Sequence, residues 1–143
     1  MATVELRFSA LPEHVRTARL VAAAVARRSG VDEAVLDEVR LAVGEACSRA
    51  VGLHQSGGIT APVKVSLIEE EKQFSIEVGD EAPRVAPGDR VPGSGEVDAD
   101  VEEDEMGLAV ISGLVDDVEV TAGEHGGLIR MTWPTAPSAA ALG

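Results

Sequence analysis

The stretch LDEVRLAVGEACSRAVGLH, residues 36–54, decides the fold. Within it Leu36, Val39, Val43, Ala46 and Ala50 recur at spacings of 3 and 4. That period places all five on one apolar stripe of a helix. Asp32, just ahead, is a good N-cap, and the pattern runs to about His54 before Gly57 and Gly58 interrupt it. A long helix with one buried face needs a partner surface, so the flanking segments must supply it.

Upstream, Pro12 opens a segment in which Val15, Ala18, Ala22 and Val25 share a face and which Gly30 ends, a second amphipathic helix. Before it, Val4, Leu6 and Phe8 alternate with Thr3, Glu5 and Arg7, the period of a half-buried strand. Downstream, Val63–Ile68 and Phe74–Val78 read as strands joined by a turn at Glu69–Lys72. From Asp80 to Glu105 periodicity is lost, with Pro83, Pro87 and Pro92 first and then seven acids among residues 96–105. Leu108, Ile111, Leu114 and Val115 share one face of a short helix. Val118–Thr121 and Leu128–Trp133 form a second hairpin around Gly123–Gly127. The order β-α-α-β-β-loop-α-β-β predicts a two-layer α/β sandwich: a mostly antiparallel mixed sheet with three helices on one face. Residues 1–134 are expected to form one domain with a mobile, lid-like loop at 81–105, and 135–143 a disordered tail.

Composition narrows the function. A chain of 143 residues fits one domain, and 45% apolar with 26% charged residues suits a globular fold. The longest apolar run, Leu20–Ala26, is far shorter than the roughly 18 residues of a membrane span. Glu5 lies close to the start, and no basic segment precedes an apolar one, so a cytoplasmic location is expected. Cys47 is the only cysteine, which leaves no disulfide and no ligand cluster for a metal; it reads as a small core residue. His14, His54 and His125 share no spacing and read as surface residues. Phe8, Phe74 and Trp133 are the only aromatic residues and the net charge is −13, which argues against nucleic acid as a partner. The charge is uneven: residues 1–49 balance seven Arg against seven acids, and the whole excess lies beyond them.

The run Asp37 to Val51 resembles the N-box helix of the GHKL (Bergerat-fold) ATPases and, more closely, that of the anti-sigma-factor serine kinases of the RsbW and SpoIIAB type. The likeness extends over about residues 3–133, through Phe8-Ser9-Ala10-Leu11, the strand ending at Asp80, Met106-Gly107-Leu108 and Val118-Glu119-Val120. The resemblance implies ATP and Mg²⁺ chemistry. A helix Glu acts as base, an Asn four residues on holds the metal, an Asp after a strand reads adenine, and glycines let backbone approach the phosphates. On this sequence Glu45 matches the base and Asp80 the adenine-reading carboxylate, while Arg49 stands at the Asn position and cannot ligate a metal. The family's Asp-x-Gly-x-Gly reads Asp80-Glu81-Ala82-Pro83-Arg84 and its Gly-x-Gly-Leu reads Glu105-Met106-Gly107-Leu108, so of the four glycines only Gly107 survives. The nucleotide site therefore reads as degenerate, with no cofactor required.

Each candidate also has an ordinary reading. Glu45 is either a surviving base or half of an i,i+4 ion pair with Arg49, and Asp80 either a nucleotide contact or a turn residue. The acidic run is a solvated loop or a dock for a basic surface. Arg16 and Arg19 are plain surface arginines or partner anchors, Arg19 falling where the family carries a partner-contacting Arg. The leading expectation is an anti-sigma-factor-like regulator acting by protein binding in a partner-switching system that controls transcription. Its implied partners are an anti-sigma factor antagonist and a sigma factor, and the resemblance implies a homodimer. The alternative is an active ATP-dependent serine kinase that phosphorylates the antagonist.

Overall fold

The computed structural model describes residues 2–82, 109–115 and 117–135. Strand β1, Ala2–Phe8, leads into helix α1, Pro12–Ser29. Proline sits in the first turn of α1, where its missing N–H costs nothing. Gly30 ends the helix in the left-handed region at φ 99°, its N–H reaching the carbonyls of Ala26 and Arg27. Asp32 does cap, but one turn early: it accepts the Ala34 N–H at 2.9 Å and starts a 3-10 turn, Glu33–Val35, which feeds helix α2, Leu36–Ser56.

Four more strands follow: β2 Val63–Glu69, β3 Gln73–Asp80, β4 Asp117–Gly123 and β5 Gly126–Pro134. Residues 109–114 are helical and bury Ile111, with Val115 buried just after them. The sheet order is β1-β2-β3-β5-β4, and every described pairing is antiparallel. This is the expected two-layer α/β sandwich.

The core lies between the helices and one face of the sheet. Val65, Leu67, Phe74, Ile76, Ile129 and Met131 point inward, and Trp133 stands opposite Phe74 in the register. Against them α2 buries ten residues and α1 six, which makes α2 the central helix. Ala18, Ala22 and Ala26 on α1 and Ala42, Ala46 and Ala50 on α2 are buried, and such small side chains let the two helices approach closely. Arg28 ties the end of α1 to β2 through a 2.8 Å bond to Glu69, and that hydrogen bond holds the Glu69 carboxyl below its usual range. The other sheet face is polar, with Arg130 reaching Glu70 at 3.2 Å and Glu77 at 3.4 Å.

One expectation fails here. His54 is fully buried, while His125 is exposed and His14 half-buried beside Phe8. Cys47 is buried as read. Of the loop expected at 81–105 and the tail at 135–143, residues 83–105 and 136–143 lie outside the described residues, as does Gly107. Among the described residues no helix is long and apolar enough to cross a membrane.

Candidate functional site

Helix α2 sets Glu45 and Arg49 on neighbouring turns of one face. They do not pair with each other: Arg49 Nη1 stands 3.9 Å from Asp80 Oδ2, and no ion pair joins Arg49 to Glu45 among the described residues. The Arg49 side chain is 5% exposed and that of Asp80 2%. A desolvated carboxylate at the end of β3 needs a countercharge far more than a partly solvated one does, so it outcompetes Glu45 for the guanidinium.

Asp80 is held from a second side. Its Oδ1 accepts the Ala82 N–H at 3.0 Å, a short turn that starts the chain beyond β3. His54 fixes the residue between them. The Glu81 N–H donates to His54 Nε2 at 2.8 Å, so the ring proton must sit on Nδ1, which lies 2.9 Å from the Ala61 carbonyl and donates to it. One neutral imidazole thus joins the end of α2, the approach to β2 and the exit of β3. Gly126, at φ 124°, closes the corner: any side chain there would run into the Asp80 carbonyl and the Glu81 Cα.

Glu45 faces a different space. Together with Arg16, Arg19, Leu41, Gly44 and Ser48 it lines a groove of about 330 Å³ between α1 and α2. Gly44 supplies the floor, and the stem of Arg19 lies over it, so close that a Cβ on Gly44 would stand 2.6 Å from Arg19 Cδ. Neither Arg16 nor Arg19 has an ion-pair partner among the described residues. Arg27 and Arg40 on the same helices differ, being paired with Glu33 at 3.1 Å and with Asp37. Leu20 and Leu41 are each 57% exposed beside them.

The structure therefore divides the residues singled out from the sequence into two groups. Arg49 and Asp80 come together in the interior, whereas Glu45, Arg16 and Arg19 share the outer groove; Gly107 lies outside the described residues. Sequence reasoning missed His54, Gly126 and the Gly44 floor. Gly44 alone carried a signal, as a glycine in the middle of a strong helical pattern.

Residues 8–133 match the family model described as histidine kinase-like ATPase domain, and the chain belongs to that family. Within it the chain is of the RsbW type. It is 30% identical over 136 residues to the serine-protein kinase RsbW of Bacillus pumilus and 27% identical over 134 residues to that of Bacillus licheniformis. Each match covers 90% of this chain and 83% of the relative. A crystal structure of the RsbU and RsbW domains of a Mycobacterium tuberculosis protein superposes with a TM-score of 0.68 over 96% of this chain at 16% identity. This chain spans 33% of that longer one. That likeness supports the fold.

Proposed function

We propose that this chain is a partner-switching regulator of transcription that works by binding proteins and has lost phosphotransfer. It would act in the cytoplasm, as a homodimer, with an anti-sigma factor antagonist and a sigma factor as its partners. The observation that carries this reading is Arg49 against Asp80. A guanidinium has no lone pair for a metal, and here it stands where the resemblance calls for a Mg²⁺ ligand. Both Asp80 oxygens are already engaged, one by the Ala82 N–H and one toward Arg49, so the carboxylate that would read adenine is occupied by the protein itself. These residues do not fit a magnesium nucleotide. Arg16 and Arg19 remain able to grip an acidic partner, and arginines with no ion-pair partner among the described residues, beside the exposed Leu41, suit an interface anchor.

The test is phosphate incorporation into the antagonist that co-purifies with the tagged chain, with Mg-ATP in excess. No incorporation is expected from the natural protein or from Arg49→Asn, because that change leaves Asp80 Oδ1 held by the Ala82 N–H and restores none of the missing glycines. The variant is also expected to lose about 3 kcal/mol of stability, since it removes a cation that faces a buried carboxylate. Glu45-dependent phosphorylation by the natural protein would promote the kinase reading instead.

A further inference from the structure

Strand β4 is an edge of the sheet, with β5 on one side and no described strand on the other. The direction of its backbone groups follows from the ladder. The Glu70 N–H donates to the Gln73 carbonyl at 2.9 Å across the β2–β3 turn, and the N–H of Thr135, just past β5, donates to the carbonyl of Lys72, just before β3, at 3.1 Å. Bonded pairs alternate along an antiparallel ladder, so the registers carry this phase from strand to strand. Asp117, Glu119 and Thr121 therefore bond to β5, while the N–H and C=O groups of Val118, Val120 and Ala122 point away from the sheet. Proteins usually blunt such an edge with proline, a bulge or an inward-pointing charge, and β4 has none of these.

The side chains of the same strand differ by face. Glu119 stands opposite Arg130 on the polar outer face, but Arg130 is already engaged by Glu70 at 3.2 Å and Glu77 at 3.4 Å. Glu119 and Asp117 are both exposed, and neither has an ion-pair partner among the described residues. On the inner face Val118 packs against the core, whereas Val120 is left 43% exposed and Ala122 is exposed with it. Uncompensated negative charge, outward backbone groups and uncovered apolar surface thus run along one line.

We propose that β4 accepts an extended segment of another protein as a sixth strand, one in which lysine or arginine alternates with apolar residues. Its cations then stand beside Asp117 and Glu119, and the apolar side chains between them cover Val118 and Val120. Its backbone pairs with the outward groups of Val118, Val120 and Ala122. A second copy of the chain is excluded as the occupant, because β4 carries two acids and no cation and two copies of it repel. Strand β1 offers no equivalent site: Glu5 already has Arg7 at 3.6 Å and Lys64 at 3.7 Å beside it, so its charge is compensated. The β4 edge shares no residue with the α1–α2 groove and is independent of the function proposed above.

Titration of the full chain with a six-residue peptide of alternating lysine and valine tests the proposal, read by NMR and by amide hydrogen exchange. The Val118, Val120 and Ala122 amides are expected to gain protection. The same peptide N-methylated at its valines keeps its charge but cannot donate to the edge, and should give no protection. Glu119→Lys should weaken binding of the unmodified peptide about fivefold or more. Glu71→Lys makes the same change of charge at an exposed position in the β2–β3 turn and should leave binding nearly unchanged. Circular dichroism confirms that both variants stay folded, as these exposed positions allow. No gain of protection at the three amides with millimolar peptide overturns the proposal. Binding that the N-methylated peptide matches, or equal weakening by the two variants, overturns it as well, since either outcome is attraction to the net charge of −13 alone.

Discussion

Arg19 lays its stem across Gly44, and the contact depends on the glycine having no side chain: a Cβ there would stand 2.6 Å from Arg19 Cδ. Helix α1 thereby aims its guanidinium by means of a gap in α2. Gly44→Ala should add helix propensity of about 1 kcal/mol and lose a comparable amount in displacing Arg19, leaving stability within about 1 kcal/mol of the natural chain. Affinity for the antagonist should nevertheless fall several-fold, read by calorimetry beside a thermal melt. Gly52→Ala is the control. Nothing lies within 4 Å of a Cβ at Gly52, so that change should stabilise the helix and leave binding alone. Equal losses of affinity in the two variants would remove Arg19 from the interface.

His54→Ala should cost about 3–5 kcal/mol, because it opens a cavity at a fully buried position and leaves the Glu81 N–H and Ala61 carbonyl without their partner. Chemical denaturation measures the loss. Hydrogen exchange at the Glu81 amide separates the local effect from the global one: it should accelerate in His54→Ala and recover partly in His54→Gln, whose amide oxygen can accept that N–H.

Burial pushes the Cys47 thiol up to about 12 from its ordinary 9.0. The folded state therefore holds this proton more tightly than the unfolded chain does. Its contribution is complete below pH 9 and is lost as pH rises from 9 toward 12, at about 1.4 kcal/mol per pH unit. The difference in stability between the natural chain and Cys47→Ala should show that slope and be flat below pH 9. A thiol reagent at pH 8 should modify Cys47 only as fast as the chain unfolds.

The apolar stripe of α2 was readable because burial on a helix repeats with the helix. Leu36, Val39, Val43, Ala46 and Ala50 are all buried, as the period required. The resemblance likewise marked Arg49 and Asp80 as the positions to watch. What it left open was the company each keeps. Spacing along one helix suggested Glu45 for Arg49, whereas the carboxylate it faces arrives at the end of a strand whose placement depends on the whole sheet. His54 was hidden for a related reason. Its partners are a backbone carbonyl and a backbone amide, which every sequence contains, so no pattern of side chains announces that a polar residue at the end of a helix will be enclosed. Gly44 was visible as an anomaly, but its use depends on an arginine from another helix.

Trp133, 4% exposed on β5 and opposite Phe74, is the only tryptophan in a chain without tyrosine. The molecule therefore carries a single indole and no phenol to emit beside it, the indole seated in its core with no hydrogen-bond partner for Nε1 among the described residues. Its emission belongs at the blue end of the tryptophan range and should shift red in one step as the sheet parts from the helices. Unfolding of every variant proposed above can be followed by this light alone, without a label.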